Sequence, residues 1–174
     1  GTMSGNMLHD SVRGAGNRLS WNSTSQDLSR PTEFTSFNSD GFGLGTSDTT
    51  NETGNSIVAW CWKAGGAPIA TNSAGVGNVP TSGSVMIDGA ASTSALAGTI
   101  AADKISANTK AGFSIVSYTG NTTGNTTVAH GLSQRPDVIV AKNLNTSENW
   151  VMWHQSNNTE HTLYPNLVNA HNSS

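Results

Sequence analysis

The longest unbroken apolar run in the chain is six residues, Ile57-Val-Ala-Trp-Cys-Trp62. A membrane-spanning helix needs about 20 such residues, and a buried helix needs apolar positions recurring over three turns or more. Neither pattern occurs. Apolar residues instead arrive in islands of six or fewer, set among Gly, Asn, Ser and Thr, which together make up 82 of the 174 residues. Ser and Asn compete with the helix for backbone hydrogen bonds, and Gly pays a large entropy cost within one. Thr suits strands, while Asn, Gly and Ser suit turns. These constraints predict an all-β chain, an antiparallel β-sandwich or jelly-roll-like fold with short strands and long polar loops.

Along the chain, residues 1–30 are polar and weakly patterned. Residues 31–66 hold a hairpin and a central strand. Phe34-Thr-Ser-Phe37 and Phe42-Gly-Leu-Gly45 flank the turn cluster Asn38-Ser-Asp-Gly41, a hairpin signature. From Ile57 to Lys63 both faces of an extended chain would be apolar, with Val58, Trp60 and Trp62 on one side. A core strand, or one completed by a neighbouring subunit, is expected there. Residues 67–109 are low in complexity and read as a long surface excursion with one or two brief strands. Residues 110–174 are strand-rich: Gly112–Thr119, Thr127–His130, Pro136–Lys142 and Trp150–Trp153 fall at the spacing of an antiparallel sandwich.

The function classes narrow by charge and chemistry. Eight basic against eleven acidic residues give a net charge of −3, with no basic stripe for nucleic acid or an anionic membrane surface. No N-terminal stretch combines positive charge with an apolar run, so no signal peptide is expected. Cys61 is alone, which excludes a disulfide within the chain; a buried, inert thiol is the expectation. The histidines His9, His130, His154, His161 and His171 lack metal-ligand spacing. Asp40, Asp48 and Glu52 cluster in one loop region, and nothing nearby would orient a general acid. No catalytic residue, metal or cofactor is therefore assigned, and the chain is expected not to be an enzyme. Seven Asn-x-Ser/Thr sequons occur, close to the roughly five that this composition gives by chance. Trp21, Trp150, Trp153 and Tyr164, set among small polar residues, could provide flat faces for a glycan or protein partner. Trp150 and Trp153 also suit partial core burial.

Ordered blocks across most of the chain resemble a family of marine bacteriophage tail-associated proteins carrying a domain of unknown function. The blocks are Asp10-Ser-Val-Arg-Gly-Ala-Gly16, Ser36-Phe-Asn-Ser-Asp-Gly-Phe42, Val58-Ala-Trp-Cys-Trp-Lys-Ala-Gly-Gly66, Ser84-Val-Met-Ile-Asp-Gly89, Gly112-Phe-Ser-Ile-Val-Ser-Tyr-Thr-Gly120, Val128-Ala-His-Gly-Leu132 and Pro136 to Lys142. The match departs at Ala129, where the family commonly has Gly before His. The resemblance implies a structural or adhesive component of a virion appendage (tail fibre, tail tip or host-contact protein), and a chain that is a portion of a longer one. Expected partners are further copies of itself, with a homotrimer favoured by analogy, other virion proteins and a host surface glycan. The alternative is a carbohydrate-binding or extracellular filament module.

Overall fold

The computed structural model describes residues 5–72, 79–157, 161–168 and 172–173. His171, most of the Asn169–Ser174 tail and residues 73–78 of the low-complexity stretch lie outside them. The chain is all-β. Its one helix among the described residues, α1 (Asp48–Asn51), is a single turn capped by the Ser47 hydroxyl. Among the described residues no helix is long and apolar enough to cross a membrane. Two compact units form, where one domain or part of one was expected: Gly1–Val58 with Pro136–Ser174, and Ala59–Arg135.

The first unit is built from small antiparallel pairings. Strands β1 (Met7–Leu8), β2 (Asn17–Ser20) and β3 (Leu28–Ser29) make a three-stranded sheet; β4 (Phe34–Phe37) and β5 (Phe42–Leu44) form the expected hairpin. Its turn closes through the Asn38 N–H to the Gly41 carbonyl at 3.0 Å. Strands β10 (Val138–Ala141) and β11 (Val151–His154) form a second hairpin. Elements β12 (His161–Thr162) and β13 (Asn172–Ser173) come later in chain order and make a two-stranded pair. Val12, Leu19, Phe34 and Trp150 are buried, and the rings of Phe37, Phe42 and His9 surround Phe34 at centroid distances of 4.7, 5.6 and 5.0 Å.

Between β1 and β2 the Asp10-Ser-Val-Arg-Gly-Ala-Gly block folds on its own charges. Asp10 Oδ1 accepts the N–H groups of Val12 and Arg13, while Asp10 Oδ2 receives the Arg13 Nε–H at 2.6 Å. The same guanidinium donates to Asp27 at 2.8 Å and to the Leu8 carbonyl at 3.0 Å. Arg13 is almost wholly covered, so every donor direction matters. A second covered pair, Arg18 to Glu33 at 2.7 Å, lies beside it in sequence.

The second unit carries β6 (Val85–Ile87), β7 (Ala90–Ala91), β8 (Ala102–Asn108) and β9 (Phe113–Tyr118) in the order β7-β6-β8-β9. Only the β6–β8 pairing is parallel. Its core is Val85, Ala102, Ile105 and Ala107, joined by Leu96, Val116, Val128 and Leu132. The stretch read as a surface excursion thus supplies the best-buried residues of this unit. Two of its four fully buried core residues are alanines, which carry little apolar signal. Asn72, also buried, ties the unit together: its Nδ2–H donates to the Ala102 carbonyl at 2.8 Å, and its Oδ1 accepts from Ser84 Oγ and the Thr81 N–H. Asp88, at φ 52°, and Gly89 form the tight turn from β6 to β7.

Ile57–Lys63 is not a strand and is not buried. Val58, Trp60 and Trp62 are 75%, 78% and 63% exposed, which removes the core reading of these residues. Cys61 is exposed as well, against the expectation of a buried thiol. The apolar run carried no information about a pairing strand, and none of the described strands pairs with it. Just after it the chain packs closely: Gly65 is buried and accepts the Gly89 N–H at 2.9 Å, and Gly66 accepts from Ser106 Oγ at 2.6 Å.

A Cβ at Gly65 would collide with the carbonyl oxygens of Ala107 and Met86. Gly65→Ala is therefore expected to cost about 2–3 kcal/mol, seen as a lowered midpoint in thermal unfolding. Arg13→Ala would strand Asp10 and Asp27 without their cation, and a loss of about 3 kcal/mol is expected in urea unfolding.

Candidate functional site

In the second unit one of the exposed tryptophans, Trp62, stacks on the outermost strand of a sheet. Strand β9 pairs on one side with β8, from Ala102↔Tyr118 to Asn108↔Phe113, and lies last in the sheet. In an antiparallel ladder, alternate residues of an edge strand direct their N–H and C=O away from the neighbour. The strand is six residues of Phe-Ser-Ile-Val-Ser-Tyr, with no charge, Pro or Gly. Val116 packs on the core, so Ser114 and Tyr118 share that face, whereas Phe113, Ile115 and Ser117 point to the other. The Trp62 ring stacks on Phe113 with centroids 6.4 Å apart and planes inclined by 23°. Trp60, two positions earlier, is the more exposed of the two.

The same unit holds a cleft of about 290 Å³ lined by Ile87, Leu96, Val128, His130 and Leu132 among others. His130 Nδ1 accepts the Leu132 N–H at 3.0 Å, which leaves the neutral ring's proton on Nε2. The ring thus accepts from a backbone donor in a turn. Gly131 permits that turn with φ 72°, its Cα against Ala107 and Ile105.

In the first unit the four aromatic residues singled out from sequence divide. Trp150 is core: it is 3% exposed, donates its indole N–H to the Ser20 carbonyl at 2.9 Å and lies 4.9 Å from the half-buried Trp21. A buried indole with its N–H satisfied offers no face to a ligand, so Trp150 takes the core role its strand suited and not the contact role. Tyr164 is half-buried. Trp153 is 39% exposed, and in register it faces Ile139, itself 51% exposed. Val138 and Val140 are exposed on the opposite face of the same hairpin. Sequence reading missed these three aliphatic residues as surface. Their strand pattern was legible, but an alternating or continuous apolar run does not report whether anything covers it.

No group of three or more His, Cys, Asp or Glu that could hold a metal occurs among the described residues. Asp40 lies at the exposed hairpin tip, Asp48 in the first turn of α1, and Glu52 accepts from Asn55. His154 hydrogen-bonds Ser156, two residues on in the chain. His9 is the perturbed one: burial, ahead of all other influences, holds its pKa below the ordinary histidine value. Its Nδ1 lies 3.1 Å from the Ala15 carbonyl while Nε2 is buried with no hydrogen-bond partner, the arrangement of a neutral ring.

A family model described as Domain of unknown function (DUF7483) matches residues 2–86 and 85–174. No curated protein and no solved structure matches the chain.

Because the folded pKa of His9 is depressed, its stabilising effect is complete above the unfolded value near 6.5 and is lost as pH falls through the folded value. The midpoint of thermal unfolding is expected to drop between pH 7.5 and pH 5. His9→Phe, which keeps a ring against Phe34 and removes the titrating nitrogen, should flatten that drop.

Proposed function

We propose that this chain, which belongs to the DUF7483 family, is a non-catalytic structural or adhesive component of a bacteriophage virion appendage such as a tail fibre, tail tip or host-contact protein. It would act by shape and by assembly with copies of itself and with other virion proteins. The observation that carries the reading is the pairing of solvent-facing apolar surface with low charge. Trp60, Trp62, Val58, Ile139 and Val138 are all exposed, while only 11% of residues are charged. Surface of this kind marks sites that are covered in an assembly. The block resemblance directs that assembly towards a virion, where a component works outside the cell without carrying chemistry of its own.

A second reading, recognition of a host surface glycan, has one specific support. Trp153 presents part of its indole on a hairpin whose neighbourhood is rich in Asn, Ser and Thr, a combination suited to stacking on a sugar ring. This reading is compatible with the first, since an appendage component can also touch its receptor.

Gold-labelled antibody raised against the purified chain is expected to mark the appendages of phage particles encoding it, in electron micrographs of intact virions. Labelling confined to non-viral filaments or to secreted soluble protein would sink the virion assignment. If glycan recognition resides at Trp153, the chain should bind members of a glycan array, and Trp153→Ala should weaken that binding at least about tenfold, the loss of one aromatic stacking platform of about 1.4 kcal/mol.

A further inference from the structure

The two edges of the four-stranded sheet in the second unit are unlike. At one end β7 is two residues long, too short to accept another strand. At the other, β9 offers six residues, and among the described backbone hydrogen bonds none reaches it from any strand but β8. Edges left open in monomeric proteins are ordinarily blunted by a lysine, a proline, a bulge or shortness. β7 uses shortness. β9 uses none of these along Phe113–Ser117, since the one irregularity in its pairing lies opposite the Tyr118 end, between Ala102 and Lys104.

We propose that β9 is a self-docking edge. It pairs antiparallel with β9 of a second copy about a twofold axis centred on Ile115, joining the two four-stranded sheets into one. The inference rests on the assembly reading above and names its partner and its seam. Centring on Ile115 sets Phe113 opposite Ser117 of the second copy and Ser114 opposite Val116. That register keeps the core faces of both sheets on one side and uses only the straight part of the strand.

Three observations favour a second copy over an unrelated protein. The strand is uncharged, so self-pairing sets no like charges against each other across the axis. The short β7 closes the far edge, so growth stops at two copies instead of continuing as a fibre. The flanking surface is also of the right order. Trp62, 63% exposed and stacked on Phe113, and Trp60, two residues before it in the chain and 78% exposed, together leave on the order of 300 Å² to be covered on each copy, against about 800 Å² per partner in a stable interface. The paired strands and Tyr118, half exposed, add to it. Trp62 already stacks on Phe113, so the aromatic shelf borders the face that the seam would extend.

Sedimentation velocity over a concentration series tests the proposal with the chain as it stands. The wild type should sediment as a dimer. Ile115→Lys, which sets two lysines against each other on the axis, and Trp60→Ala, which removes an exposed ring, should each weaken dimerisation at least about tenfold with unchanged circular dichroism. In a Cys61→Ser background, Ile115→Cys should form a covalent dimer in a glutathione redox buffer, because opposed residues of an antiparallel pair approach within disulfide range. Asn121→Cys in the same background should stay monomeric on a non-reducing gel. The cross-link decides the matter if the lysine variant fails to fold. An oligomer that survives Ile115→Lys and gives no cross-link with Ile115→Cys, or one of trimer mass, would overturn the β9 seam and leave the assembly reading standing. A wild-type chain that stays monomeric to its solubility limit would overturn the seam and self-assembly together, leaving only assembly with other virion proteins for antibody labelling to test.

Discussion

The indole N–H of Trp150 reaches the Ser20 carbonyl at 2.9 Å, joining residues 130 positions apart in the chain. The first unit depends on contacts of this kind, because its two segments are separated by the whole of the second unit. Closing so long an interval costs chain entropy that local turns cannot recover. Trp150 offsets it in three ways at once: a buried ring, a tilted contact with Trp21 and a satisfied indole donor. Its own backbone N–H is held by Asn166 Oδ1, and Asn166 is held in turn by Asn149. A further tie, from the Asp27 N–H to the Leu144 carbonyl at 3.1 Å, joins the same two segments.

Around that closure the polar composition is put to structural use. With so few large apolar residues, both units rely on buried polar groups whose hydrogen bonds are met from several sides. Arg13 takes two carboxylates and a carbonyl; Asn72 takes a carbonyl, a hydroxyl and an amide. A fully satisfied buried polar group fixes one geometry where an apolar contact would tolerate several. The second unit adds close backbone approach, with Gly65 against β6 and β8 and the fully buried Ser84 and Ser106 in place of larger side chains. Close packing by small residues gives a firm sheet on few apolar atoms. It also leaves the large apolar side chains free for the surface, where the proposed assembly uses them.

Several of the ordered blocks acquire a physical reason in the structure. Asp10-Ser-Val-Arg is a charge-locked turn, Ser84-Val-Met-Ile-Asp-Gly is strand β6 with its tight turn, and Ala-Gly-Gly66 is the close approach. These reasons concern folding. The part of the Val58–Gly66 block that folding leaves unexplained is the exposed pair Trp60 and Trp62. A residue pattern that the fold does not need and that exposes apolar surface to water directs attention to a partner.

The amino-acid sequence by itself determined the all-β class, since islands of six or fewer apolar residues among turn formers leave helices little to bury. It also placed the hairpin at Phe34–Leu44 and the strands β9, β10 and β11 to within a residue or two, because alternation and turn residues are local signals. Tertiary structure alone decided what lies inside. It put Ala102, Ile105 and Ala107 at the centre of a unit whose stretch 67–109 composition marked as excursion, and it decided for the core at Trp150, where the strand alone allowed either core or contact surface. It left Trp60 and Trp62 in solvent, although theirs is the most apolar run in the chain. Burial is a property of what comes to pack against a residue from a distance, and hydrophobicity along the chain measures only how much that residue would gain if something did.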